Sequence, residues 1–80
     1  MATYVLQHSH EASECRAVFA AWRGFDSPLR GRSTVASCRQ GGHELWWTVE
    51  AGGEESALAQ LPPYVATRTH ATEVSEVAVP

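Results

Sequence analysis

Gln40-Gly41-Gly42-His43-Glu44-Leu45-Trp46-Trp47-Thr48-Val49-Glu50-Ala51 holds a turn followed by a strand with two unlike faces. Leu45, Trp47 and Val49 alternate with Glu44, Trp46, Thr48 and Glu50, so one face is apolar and the other mixed. A slip of one residue would turn the apolar set outward, which fixes the register. The Gly pair lies between two β-prone runs, residues 33–39 and 43–51, and predicts a hairpin joining strands two and three.

Working outward, residues 3–9 (Thr-Tyr-Val-Leu-Gln-His-Ser) mix aromatic and branched side chains and predict strand one. Glu11 and Glu14 suit a helix N-terminus, and Cys15, Val18, Phe19 and Trp22 recur at i, i+3, i+4 and i+7, which predicts a helix over 11–23. Gly24 can end it in a left-handed conformation with Phe25 folded back on the last turn. Residues 26–31, with Asp26, Pro28 and Gly31, read as a loop. Beyond Gly52-Gly53, helix two opens with Glu54-Glu55 and carries Ala57, Leu58 and Leu61. Pro62-Pro63 interrupts it, and Pro63 can start a short helical piece over 63–69. The Val-rich residues 72–79 read as strand four.

This order, βαββαβ, predicts one α+β domain over residues 1–80 with a ferredoxin-like plan: a four-stranded antiparallel sheet, order 4-1-3-2, with two helices on one face. Val18, Phe19, Trp22, Leu45, Trp47, Val49 and Leu58 fill the layer between, and Phe19→Ala is expected to cost roughly 3 to 5 kcal/mol. Strands one and three are expected to run parallel. That places His8, His10, Arg32, Glu50 and His70 at one end of the sheet, and Cys38 and His43 at the other.

A first strand ending in His, a Trp-rich third strand, Leu58-Ala-Gln-Leu-Pro-Pro-Tyr-Val65 and the closing Glu73-Val-Ser-Glu-Val-Ala-Val79 together resemble the dimeric α/β barrel superfamily. The last two stretches are similar in plan to the closing part of muconolactone isomerase-like proteins and of small actinobacterial relatives. The resemblance spans nearly the whole chain as a pattern without a diagnostic motif. It implies the fold and dimerisation, and a range of chemistries that includes isomerases, cofactor-free monooxygenases and metal-binding proteins.

Charge narrows the partners. The net charge is -3, every basic residue is Arg, and the Arg concentrate in the first half while six of nine acids follow residue 43. Such a chain lacks the basic footprint that phosphate neutralisation needs, so nucleic acid is not an expected partner. No apolar run approaches the roughly 20 residues of a membrane span, and residues 1–20 lack a signal-like core, so the expected location is cytoplasmic and no membrane partner is expected. Cys15 and Cys38 are then free thiols, and without a CxxC pair they point to no zinc knuckle. Cys15 reads as a small buried hydrophobe.

Two constellations carry candidate chemistry. His8 and His10 share strand parity about 7 Å apart. With His70 or Glu50 as a third donor they suit a transition metal such as Zn, Ni, Cu or Fe, or, without metal, general acid and base work. A strand-end structural role is the commoner fate of an isolated His-X-His. The second is the mixed sheet face, where Gln7, Ser9, Trp46 and Thr48 form a lining for a small organic ligand, or alternatively Trp46 fills a dimer interface. The favoured reading is a homodimer, joined through that face, binding a small molecule or metal ion. The alternative is a small isomerase or cofactor-independent monooxygenase with His8 or His10 as proton-transfer group beside Trp46.

Overall fold

The computed structural model describes all residues from Met1 to Pro80. In chain order the elements are β1 (Ala2–Ser9), α1 (Cys15–Ala20), β2 (Val35–Ala36), β3 (Glu44–Ala51), α2 (Glu54–Leu58), α3 (Pro63–Ala66) and β4 (Thr69–Val74), with 3-10 turns at Ala12–Glu14 and Cys38–Gln40. The architecture is α+β, a four-stranded sheet of order β2-β3-β1-β4 with short helices.

Every neighbouring strand pair is antiparallel, including β1 with β3. The expectation that strands one and three run parallel is therefore corrected. A helical crossover returns the chain to run β2 in the direction of β1, and the hairpin then reverses it, so β3 must oppose β1. His8 consequently faces Leu45 and Ser9 faces Glu44, whereas Glu50 faces Thr3 at the far end of the ladder.

Tyr4, Leu6, Leu45, Trp47, Val49 and Ala51 project to one face and meet Val18, Ala57, Leu61 and Val65 in a single core. Each large aliphatic side chain removed from water here contributes about 1.5–3 kcal/mol. Phe19, expected in this layer, is 51% exposed, while Val18 beside it is fully buried. Both lie in the α-helical Cys15–Ala20, where successive side chains stand about 100° apart, so with Val18 turned into the core Phe19 falls at the edge of the buried stripe. The layer survives without Phe19, and large losses from Phe19→Ala are no longer expected.

The other differences are in length. Strand β2 spans only two residues, because Ser37 turns out of the ladder, its N–H donating to the Glu44 carbonyl and its Oγ accepting from the Glu44 N–H. Strand β4 begins at Thr69 and stops at Val74, which faces Thr3 near the start of β1. Pro62-Pro63 does divide the second helical segment, with Pro63 in the first turn of α3.

Candidate metal centre

The antiparallel pairing brings together residues that a parallel pairing would separate. The ladder between β1 and β3 continues one rung past the strands, where the His10 N–H donates to the His43 carbonyl at 3.1 Å. Their rings follow, with centroids 5.5 Å apart. Cys15 opens α1 and Cys38 opens the 3-10 turn that leads back to β3. The ligand atoms of His10, Cys15, Cys38 and His43 all lie within 4.8 Å of one another. The Cys15 Sγ is 3.9 Å from His43 Nδ1.

The return loop is shaped for this. Gly41 is left-handed (φ 85°), and His43 adopts φ 52°, a region costly for a residue with a Cβ. A Cβ on Gly42 would sit 2.4 Å from Ser37 Oγ, so only glycine lets the loop fold this tightly. At the other arm, Glu14 beside Cys15 accepts from Arg68 at 2.8 Å, from the Tyr64 hydroxyl at 3.2 Å and from the Glu11 N–H at 3.0 Å. The Glu11 N–H and the Arg68 guanidinium hold the Glu14 carboxyl below its ordinary pKa. This network ties the start of α1 to the turn after α3.

Beneath the cluster a hydrogen-bond chain fixes the histidine tautomers. The Thr69 hydroxyl donates to the Val65 carbonyl at 2.7 Å, so its oxygen has only lone pairs left to offer. His8 Nδ1, 3.2 Å from that oxygen and 3.3 Å from the same carbonyl, must then carry the proton and donate. Burial pushes both His8 and His10 below the ordinary imidazole pKa, and neighbouring imidazoles add to it, which keeps the rings neutral. With its proton on Nδ1, neutral His8 presents a bare Nε2, which accepts from His10 Nδ1 at 2.9 Å. His10 Nε2 is left as a lone pair, buried and without any hydrogen-bond partner. Such a nitrogen is costly unless something accepts its electrons.

The donor set fits zinc. Bonds of about 2.3 Å to sulfur and 2.0–2.1 Å to nitrogen put tetrahedral ligands roughly 3.3 to 3.8 Å apart. Atoms already within 4.8 Å need side-chain shifts on the order of an ångström to close on an ion. Burial, and then the adjacent Cys15 thiol, push the Cys38 thiol above its ordinary pKa. A bound cation would reverse that by favouring the thiolate.

Of the residues expected from sequence to bind metal, the structure unites His8 and His10, with ring centroids 5.1 Å apart, and leaves the others away from them. Glu50 is at the far end of β3, and His70, facing Gln7, projects from the uncovered side of the sheet. His8 lies behind His10, with both ring nitrogens engaged, and is no part of the four-atom cluster. Cys15, Cys38 and His43 were missed because the parallel arrangement sent two of them to the wrong end. The signal was present: His10-x4-Cys15 and Cys38-x4-His43 repeat one spacing in mirror order.

The expected organic-ligand residues Gln7, Ser9, Trp46 and Thr48 do share the uncovered face. Gln7 and Ser9 both donate to the Glu44 carboxylate and line one polar hollow, while Thr48 lines another; Trp46 belongs to neither. Trp46 pairs with Gln7, whereas His8 pairs with Leu45 on the covered side. A proton-transfer group at His8 or His10 therefore cannot act on a ligand held against Trp46.

A scan of protein-family models and searches of curated proteins and of solved structures give no match to this chain.

Proposed function

We propose that the chain is a metal-binding domain whose Cys2His2 cluster, His10, Cys15, Cys38 and His43, holds a zinc ion as a structural clamp. The observation that carries this reading is the buried, unpartnered Nε2 of His10 beside three further donors. Two thiolates and two imidazoles in a tetrahedron favour zinc over the harder or more planar preferences of Mg, Ni or Cu(II). Four protein donors leave no position for water or substrate, which separates a clamp from a catalytic zinc. Protein purified without a His tag should contain one zinc per chain. Cobalt substituted for zinc should give the visible absorption of a tetrahedral thiolate site, lost in Cys15→Ser/Cys38→Ser. Absence of stoichiometric metal, or a cobalt spectrum indifferent to both cysteines, would overturn the clamp.

The strand order supports a ferredoxin-like plan, in keeping with the resemblance to dimeric α/β barrels. The uncovered sheet face supports a homodimer. Val5 and Trp46 lie there half-buried, and Val35, 70% exposed, pairs with Trp46. Pairing two such faces about a two-fold axis removes them from water. Light scattering at micromolar concentration should give about twice the 8.7 kDa chain mass, and Trp46→Glu should shift it to monomer. A wild-type monomer at high concentration would end the dimer reading and leave the zinc clamp intact.

A further inference from the structure

On the helix-covered side a cleft of about 220 Å³, with neither cysteine in its lining, opens between α1, the loop after it and β3. Its apolar lining is Phe19, Trp22, Leu29, Leu45 and Trp47, and its polar rim includes Arg30 and Arg32. Three of these residues are aromatic, with Trp22 and Trp47 centroids 5.8 Å apart. The half-exposed Phe19, which the core does not use, stands at this cleft.

Arg68 alone among the six arginines is ion-paired, with Glu14, and two of the five without an acidic partner, Arg30 and Arg32, stand together at this cleft. Arg30 makes one long bond, 3.4 Å, to the Phe25 carbonyl, and the Arg32 guanidinium makes none. Two unpaired guanidinium forks beside an aromatic wall offer what a flat acid requires: π-faces for the ring and charge-assisted donors for the carboxylate. The volume lies below the roughly 300–1,000 Å³ of sites for drug-sized ligands, so the ligand is small.

We propose that this cleft binds a small aromatic carboxylate, its ring against Phe19, Trp22 and Trp47 and its carboxylate on Arg30 and Arg32. The site shares no residue with the zinc clamp, but most of its lining lies in the segment the clamp brackets.

Phenylacetate is a suitable probe, and the three indole N–H signals in a nitrogen–proton NMR spectrum of the zinc-loaded protein are the readout. Each is assigned from its own Trp→Phe variant. Trp22 and Trp47 line the cleft and Trp46 lies on the opposite sheet face, an internal control. Phenylacetate should shift the Trp22 and Trp47 signals saturably and leave Trp46 unmoved. The neutral amide phenylacetamide should bind about tenfold more weakly or worse, and Arg30→Gln/Arg32→Gln should reduce the acid to the level of the amide. Both arginines are exposed, so the variant keeps the core intact. No saturable shift up to about 20 mM, equal affinity for acid and amide, or Trp46 moving with the others would overturn the proposal.

Discussion

The helical segment after β3 sends Ala57, Leu61, Pro62 and Val65 fully into the interior, whereas the longer segment after β1 sends only Val18. Residues 21–34 contain no helix or strand at all. Yet the four candidate ligands bracket this sparsely packed half: His10 and Cys15 at its entry, Cys38 and His43 at its exit. One side of the layer is held by apolar burial; on the other, four donor side chains converge on a point. Domains of this size often lack the core to order every segment, and under the proposed clamp a metal would supply the missing constraint.

If that division holds, metal removal should produce the largest and most lopsided effect. Chelation should lower stability by about 4 kcal/mol or more, the value of a ligand held a thousandfold above its Kd. Amide exchange should accelerate mainly over residues 10–43, with β3, α2 and α3 retaining more protection. Uniform acceleration would erase the contrast.

On the hydrophobic side, Leu61→Ala should cost about 2–5 kcal/mol with or without zinc, read from denaturant midpoints. A cost confined to the metal-free protein would mean that the two halves share one constraint. His8→Ala should weaken zinc roughly 10- to 100-fold in a competition titration, because His8 orients His10 and fixes its tautomer. An unchanged affinity would show that His8 serves only the fold.

The metal-free protein should also lose stability on acidification. His8 and His10 have folded-state pKa values below the ordinary 6.5, so just under that pH the unfolded chain takes up protons that the folded chain refuses. Their stabilising contribution is complete above pH 6.5 and falls as pH drops from there toward the lowered folded values. His8→Ala/His10→Ala should flatten this slope in urea titrations at pH 7.5 and 5.5, and a slope unaltered by the double variant would assign it elsewhere. The smallest effect belongs to Phe19→Ala, below about 1 kcal/mol because half the ring is already in water.

Much of the fold was legible in the sequence because β3 carries a clean two-residue alternation flanked by glycines. The hairpin, the strand order and the Pro62 break follow from such local signals. Which edge of the first helix's apolar stripe meets the sheet was not legible, since Val18 and Phe19 are both apolar and only packing separates them. The direction of β3 relative to β1 follows from the hairpin once the crossover is traced, and misjudging it scattered the ligands. His8 and His10 could be picked out by parity, but the difference between a ligand and the residue behind it depends on Val65 and Thr69, more than fifty residues away.

The mirrored spacing of the two ligand arms has a kinetic corollary. Each arm brings one nitrogen and one sulfur, so an ion meeting either arm alone gains two bonds, half of a tetrahedron. The arms become neighbours only after β1 and β3 have paired, which requires closing a loop of some thirty residues. Under the proposed clamp, tight capture would come late, after the central ladder exists, and a filled site would certify that the chain has assembled in the right order.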